Sequence, residues 1–429
     1  MLTHIRQRLF RPREQWEQNL VVLWFGNFMA GVAFSLIMPF MSLYIDTLGD
    51  FSAAQLSMWS GLTYSITFLV TAIISPWWGK IADRRGRKLM LLRASLGMAI
   101  VLGAMGLVQN VYELIALRLL QGVFSGYISN SNALIATSAP QEKSGQALGT
   151  LTTGTVSGTL LGPLLGGVVA EMTGYRMTFF ITGTILFVVF LLCLAFVHEN
   201  LTPIEKGDQV PAKQLLQNLK YPHLIIGMFV TTMIIQASNN SISPLLSLYV
   251  RQLMDHGKNV ALVSGIVAAI PGIATLIAAP RFGALGDRIG SDKILIGGLI
   301  FAVFVYIPQA FVQNVWQLGA LRLLVGIADA ALLPQVQTIL AKYSPHNSAG
   351  RIFSYNQSFQ AMGNVAGPLI GSSVSGFFGY GGVFISTTVL VVINLFWVNQ
   401  NTRVLRKNRA DAAKMGHCAI TACPKCPIL

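Results

Sequence analysis

Ten stretches of this chain contain no Asp, Glu, Lys or Arg: residues 18–45, 51–79, 94–112, 119–141, 144–170, 177–198, 221–250, 259–280, 294–321 and 352–402. Crossing the hydrocarbon core of a bilayer as a helix takes about 20 predominantly apolar residues. The stretch 352–402 is long enough for two crossings, and several other crossings accept a charge near one end. The pattern predicts about twelve transmembrane helices, near 20–45, 57–79, 89–108, 111–137, 147–171, 177–198, 223–250, 260–282, 293–312, 315–341, 352–376 and 380–402. Segments of roughly ten residues with strict alternation, which a transmembrane barrel needs, are absent. The expected class is an all-α polytopic membrane protein.

Composition agrees with that class. The chain is 53% hydrophobic and 11% charged, where soluble domains average roughly 25% charged residues. Its 30 Lys and Arg against 16 Asp and Glu give a net +14, which in a soluble protein would suggest nucleic acid as a partner. Here the positive charges fall instead in alternate loops. The first apolar segment follows Arg6, Arg8, Arg11 and Arg13 but runs for 28 uncharged residues. That is too long for the apolar core of a cleaved signal, about 7 to 15 residues, so it is expected to stay as span 1. Lys and Arg in short loops remain cytoplasmic. With the N-terminus inside, only Arg176, Arg251 and Lys258 fall outside and Arg118 and Arg322 fall within spans, leaving 25 of the 30 inside. Both termini are then cytoplasmic, the location is a plasma membrane, and nucleic acid drops out.

An internal repeat organises the spans. Gln109-Asn110-Val111 with Leu117-Arg118-Leu119-Leu120 and Gly122 recurs 204 residues later as Gln313-Asn314-Val315, Leu321-Arg322-Leu323-Leu324 and Gly326. Pro39 with Ser42-Leu43-Tyr44 recurs as Pro244 with Ser247-Leu248-Tyr249, and Gly162-Pro163 as Gly367-Pro368. The expected organisation is a cytoplasmic tail 1–19, a six-helix half 20–198, a polar cytoplasmic linker 199–221, a second six-helix half 222–402 and a cytoplasmic tail 403–429. Parallel repeats of this kind place substrate near the midplane between the halves.

Three motifs carry candidate chemistry. Between spans 2 and 3 lies Gly79-Lys80-Ile81-Ala82-Asp83-Arg84-Arg85-Gly86-Arg87-Lys88, with a degraded copy at Gly283-Ala284-Leu285-Gly286-Asp287-Arg288-Ile289-Gly290. The glycines permit a tight turn, and Asp83 suits a helix N-terminus while the basic residues suit a helix C-terminus. The loop reads either as a latch between conformations or as a basic loop serving topology alone. In span 4, Arg118 stands at a depth where a charge needs a partner or water. The other reading of Arg118 is a long side chain reaching the interface. In span 5, Gly158-x-x-x-Gly162-Pro163-x-x-Gly166-Gly167 allows close helix approach and a kink, and it reads equally as a packing seam.

These motifs resemble those of the drug-exporting proton antiporters of the major facilitator superfamily, over about residues 16 to 402. Further likeness is carried by Phe-Ser-Leu-Ile-Met-Pro-Phe at 34–40, Ser-Pro-Trp-Trp-Gly at 75–79, Asn-Ala-Leu-Ile-Ala-Thr at 132–137, Thr231-Thr232 and Gly-Arg-Ile-Phe-Ser-Tyr-Asn-Gln-Ser-Phe at 350–359. The resemblance implies the twelve-helix major facilitator fold and proton-driven efflux of antimicrobial compounds from the bacterial inner membrane. Fosfomycin and bile-salt-like amphiphiles are candidate substrates. It further implies a conformational role for Gly79, Asp83, Arg84, Gly86, Arg87 and Lys88, proton coupling for Arg118, and an antiporter signature at Gly158, Gly162, Pro163, Gly166 and Gly167.

Subtracting one half from the other isolates Asp329, which falls opposite Ser125 and has no counterpart. A carboxylate whose charged form is costly at that depth can take up and release a proton, so Asp329 is the first proton-coupling candidate, with Arg322 two turns away on the same helix. A structural ion pair between spans is the other reading. Asp46 is a runner-up near the outer end of span 1. Amides interrupting apolar spans face a cavity or a neighbouring helix. Spans 1, 4, 7 and 10 line the cavity in the superfamily, which favours Asn27, Asn130, Gln236, Asn239 and Asn240, with Trp24, Phe34, Tyr44 and Tyr127 as aromatic additions.

No metal site or cofactor is expected. His417, Cys418, Cys423 and Cys426 lie in a terminal tail, more readily unstructured than zinc-bound, and Cys193 is a packing residue in span 6. The chain has neither a G-x-x-x-x-G-K-[ST] loop nor an H-E-x-x-H helix, so an ion gradient rather than ATP is the expected energy source and an enzyme is not expected. A monomer in the bilayer, exchanging small drugs against protons, is the leading expectation. A nutrient symporter or uniporter shares the fold, and a non-transporting receptor is a further class.

Overall fold

The computed structural model describes residues 14–199, 221–255, 257, 259–344, 349–403 and 405–406. The terminal tails, including the three tail cysteines, and nearly all of the 199–221 linker lie outside the described residues. The described chain is helical: α1 Gln15–Ile37, α2 Met41–Asp46, α3 Ala53–Arg85, α4 Arg87–Met105, α5 Val111–Phe124, α6 Tyr127–Ser138, α7 Gln141–Thr173 and α8 Tyr175–Phe196 form the first half. The second half comprises α9 Pro222–Ser241, α10 Leu246–Leu253, α11 Val260–Ile289, α12 Ser291–Gln309, α13 Val315–Ala330, α14 Leu333–Tyr343 and α15 Ala349–Asn401.

Local chemistry sets the boundaries. Ser52 and Gln55 form a reciprocal capping box at the start of α3, satisfying amides that the first helical turn leaves free. Asn110 accepts the Glu113 amide (2.9 Å) and Asn314 accepts the Gln317 amide (2.9 Å), the same cap in both halves. Gly86 has φ 94°, a conformation open mainly to glycine, and it turns α3 directly into α4. Within α15, Gly379 at φ 67° divides two helices across a kink.

Nine helices among the described residues are long and apolar enough to cross a membrane. One of them, Tyr355–Asn401, covers nearly all of the last two predicted spans. Predicted spans 4 and 7 fall outside the nine for physical reasons. The expected unbroken helix 111–137 is in fact two, α5 and α6, separated at Ser125-Gly126 with Gly126 left-handed at φ 107°. Span 7 ends in the polar run Gln236–Ser241 and is interrupted at Pro244 before α10. The expected helix 315–341 likewise breaks between Ala330 and Leu333.

The break in span 4 is chemically satisfied. Arg93 donates to the Val123 carbonyl (3.1 Å) and the Ser125 carbonyl (2.7 Å), and Trp78 Nε1 also donates to Val123 (2.8 Å). The Arg93 guanidinium stacks on the Trp78 ring at 3.8 Å. Arg93, counted above among the inner loop charges, thus works inside a helix. Broken helices persist at membrane depth only where such partners take up the freed carbonyls.

The repeat extends to individual bonds. Tyr44 donates to the Met105 carbonyl (2.7 Å) and Tyr249 to the Gln309 carbonyl (3.3 Å). Thr71 reaches the Gly122 carbonyl and Thr275 the Gly326 carbonyl. Within each half the fifth helix lies along the first, α7 on α1 and the first part of α15 on α9. The halves meet through two further pairs, α3 with α15 and α7 with α11.

Candidate functional site

Contacts between the halves cluster at the end of the molecule that carries Asp46. Asp46 and Arg251 form an ion pair at 2.5 Å. The Ser42 hydroxyl donates to the Pro244 carbonyl, Ser57 and Ser375 hydroxyls lie 3.2 Å apart, and Ser65 donates to the Val365 carbonyl at 2.8 Å. On α7 and α11, Gly167 lies against the Ala261-Leu262 backbone and Gly265 against the Pro163 carbonyl. The other pair repeats this arrangement, with Gly61 of α3 against the Pro368 carbonyl of α15. In each pair a proline-bearing turn, at Pro163 or Pro368, therefore packs its carbonyl on a glycine of the opposite half. At the Gly86 end, a side-chain carbon added at Gly79 of α3, Gly149 of α7 or Gly283 of α11 would meet nothing within 4 Å among the described residues.

Between the halves, towards that second end, lies a cavity of about 930 Å³. Its first-half wall comes from Phe34 and Met38 of span 1, Tyr64, Thr67, Phe68 and Thr71 of α3, and Arg118, Gln121, Ser125, Ser129 and Asn132 of span 4. Phe353 and Gln357 of α15 close it on the other side. Of the amides expected to line it, Asn27 is fully buried with neither amide atom bonded, and Asn130 donates to its own helix at the Gly126 carbonyl (2.7 Å). Asn132 stands in the wall instead. Tyr44 points into the first-half core and Trp24 bonds Thr153 (3.0 Å), while Phe34 and Tyr127 do reach the cavity.

The two deep arginines have different surroundings. Arg118 is 2% exposed; its Nη1 donates to Gln121 Oε1 (2.9 Å) and its guanidinium lies 5.9 Å from the Tyr64 ring centre. Arg322 is 8% exposed and stands two turns before Asp329 on the same helix; among the described residues no ion pair joins the two, and its Nε has no hydrogen-bond partner. Asp329 accepts from Asn239 Nδ2 (3.1 Å), and Asn239 Oδ1 accepts from the Tyr306 hydroxyl (3.0 Å). Spans 7, 9 and 10 thus share one polar chain around a single carboxylate. Asn240 donates to Asn364 Oδ1 (3.0 Å) across to α15, and the half-buried Gln236 packs beside Gly363. Tyr306, Asn364 and Tyr64 were not singled out from sequence, since nothing local marks a tyrosine or an asparagine as the partner of a residue on another helix.

The expected loop at Gly79–Lys88 is instead the last turns of α3, Gly86 and the start of α4, and the side chains of Lys80 and Asp83 lie outside the described residues. Glu199, at the end of span 6, caps the start of α4. Its carboxylate accepts the Arg87 amide (2.8 Å) and the Lys88 amide (2.7 Å), the first two of α4. Lys88 Nζ donates to the Leu194 carbonyl (3.1 Å), and Arg84 is exposed. In α7, Gly158, Gly162 and Gly166 face the carbonyls of Phe28, Val32 and Leu36 on α1, one turn apart. Gly363, Gly367 and Gly371 repeat this on α9. Three of the signature glycines therefore serve a seam within each half, and Gly167 and Pro163 serve the junction between halves. Among the described residues no cluster of His, Cys, Asp and Glu is suited to a metal ion.

The sequence matches the family model of the Major Facilitator Superfamily over residues 23–270 and 260–420. It is 53% identical to the multidrug resistance protein MdtG of Enterobacter lignolyticus (strain SCF1) over 388 residues, 90% of this chain and 93% of that protein. It is also 53% identical to MdtG of Dickeya zeae (strain Ech586), over 89% of this chain and 94% of that one. Among solved structures, a bacterial homologue of the human lysosomal transporter Spinster, in an inward-facing and occupied conformation, superposes with a TM-score of 0.77 at 15% identity, covering 92% of this chain and 98% of that one. The nucleoside transporter NupG gives 0.71 at 15% identity, covering 91% and 100%. The chain belongs to the Major Facilitator Superfamily.

Proposed function

We propose that the protein is a proton-driven exporter of drugs, working by alternating access in a bacterial inner membrane with both termini cytoplasmic. The observation that carries this reading is the central cavity, sealed at the Asp46 end by matched glycine–proline contacts and, among the described residues, free of such contacts at the Gly86 end. With the basic Gly79–Lys88 loop on the cytoplasmic side, the state described is open to the cytoplasm, ready to load substrate. The names of the MdtG relatives support drugs as the substrate class, and fosfomycin and bile-salt-like amphiphiles are the first candidates to test.

Export requires the seal at Gly61, Gly167 and Gly265 to part while the Gly86 end closes. Asp329 is the proton carrier in this scheme. Its bonds to Asn239 and, through it, Tyr306 tie its protonation to spans 7 and 9, so a proton alters packing across the second half. The loop at Gly79, Asp83, Arg84, Gly86, Arg87 and Lys88 acts as the latch of the closed inner end, with Glu199 anchoring its exit into α4. A susceptibility panel on expressing and empty cells, repeated with an uncoupler, tests the reading. Resistance that vanishes with the gradient supports it; uptake of a labelled sugar or amino acid, with no change in drug accumulation, overturns it.

A further inference from the structure

A second cavity, of about 630 Å³, opens between α11 and α13 and shares no lining residue with the central one. Its walls include Ile270, Ile273 and Ile277 of α11 and Leu323 and Ile327 of α13, and Arg281 is its one charged lining residue. On a helix of 3.6 residues per turn, Arg281 lies about half a turn round α11 from Gly272. Gly272 and Gly265 pack on Leu160 and Pro163 of α7. The groove therefore faces away from the first half, and Ile273, Ile277 and Leu323 are 49%, 60% and 46% exposed on it. In a chain that crosses a bilayer, an outward apolar face of this kind meets lipid.

The rise of the helix fixes the depth of the arginine. From Val260, where α11 begins, to Arg281 is about 32 Å along the axis, and the hydrocarbon core is about 30 Å thick. Arg281 thus stands at headgroup level at the Gly86 end. Its repeat position in the first half is Trp77, which is 71% exposed, and tryptophan favours the same boundary. From Arg281 back to Ile270 is about 16 Å, the depth of one leaflet. The cation itself is available: among the described residues no carboxylate pairs with it, and its Nη1 donates only to the Ile277 carbonyl of its own helix (3.1 Å). A guanidinium carries five donors in a planar fork that matches a phosphate.

We propose that this groove binds one anionic phospholipid from the leaflet at the Gly86 end, its phosphate on Arg281 and one acyl chain along Ile277, Ile273 and Ile270 against Leu323 and Ile327. A basic side chain at the membrane surface favours anionic lipid by about fivefold. A zwitterionic lipid gains less, because its own ammonium group sits beside the phosphate. The repeat does not require the site, since the uncharged Trp77 stands where Arg281 does. Nor does the site depend on what the central cavity carries, so it goes beyond the reading of the protein as an exporter.

The test uses the full chain, stripped of lipid in detergent, and native mass spectrometry of the first lipid bound from palmitoyl-oleoyl phosphatidylglycerol or the matched phosphatidylethanolamine. The wild type is expected to bind phosphatidylglycerol about fivefold or more tighter. Arg281→Gln brings the two lipids to within about twofold, while Arg281→Lys keeps most of the preference. Ala278→Phe, which fills the groove from its own lining, weakens both lipids together. Arg403→Gln removes an equal charge from an exposed position just past α15 and leaves the preference in place. The proposal is overturned if the wild type does not discriminate, if Arg281→Gln keeps the preference, if Arg403→Gln loses it equally, or if Ala278→Phe changes nothing. Dimers abolished by Ala278→Phe would give the groove to a second copy and overturn it too. The wild-type comparison stands even if the variants fail to fold. Selective lipid binding without drug extrusion would refute export and keep this site; extrusion without lipid selectivity would do the reverse.

Discussion

Replacing Gly167 by alanine separates the conformational account from a simple packing account. An added Cβ there lies 2.7 Å from the Ala261 carbonyl oxygen and 3.0 Å from Leu262 Cα, both backbone atoms of α11 in the other half. Ordinary contact begins at 3.4 Å, so α7 and α11 have to part by roughly 0.7 Å at the Asp46 end. Overpacking of this kind costs about 1–3 kcal/mol. The cost falls only on the state in which these helices touch, so it tips the equilibrium between states by a factor of about 5 to 150 toward opening at that end. Spin labels at Leu107 and Phe311, exposed repeat-related sites in the turns of that end, report the opening by pulsed electron resonance. Gly158→Ala is the control: its close contacts, with Phe28, Gly31 and Val32, lie within one half. It should lower thermal stability without moving the distance distribution. The reasoning fails if Gly167→Ala leaves the distribution of the parent protein, or if Gly158→Ala shifts it as much.

Three further outcomes are expected. Asp329→Asn abolishes gradient-dependent extrusion while the folded protein persists by thermal unfolding in detergent; retained extrusion removes Asp329 from the proton path. Asp46→Asn changes extrusion by less than about fivefold, because the pair with Arg251 is partly exposed, its side chains 31% and 26% accessible, and such pairs contribute about 0.2–1 kcal/mol, less still in salt. Complete loss would instead identify Asp46 as a coupling site. Glu199→Gln weakens two charge-assisted bonds at the start of α4 and lowers stability by about 1 kcal/mol, read as an earlier melting transition; an unchanged transition contradicts the capping role.

The repeat made much of the architecture readable in advance, because an offset of 204 to 205 residues places the same caps and the same tyrosine bonds in both halves, as at Asn110 and Asn314 or Tyr44 and Tyr249. Breaks in helices were less legible. Ser125-Gly126 looks like ordinary small-residue packing until Arg93 and Trp78, from two other helices, are seen to hold the freed carbonyls. Cavity residues were partly legible. Counting helical turns from Arg118 leads to Gln121, Ser125, Ser129 and Asn132, which do line the wall, while Asn130 falls about a third of a turn away. That count was a usable signal. Asn27 had no such signal, since burial without a partner looks in sequence like any polar residue in an apolar span.

The central claim is that a proton gradient drives substrate out of the cell through this cavity. Inside-out membrane vesicles expose the cytoplasmic face, so an exporter loads labelled fosfomycin into a lumen made acidic as protons leave. Accumulation is expected to require the acidic lumen, to disappear on adding nigericin and to be absent in Asp329→Asn. Accumulation that survives nigericin, or that proceeds equally in Asp329→Asn, would contradict it.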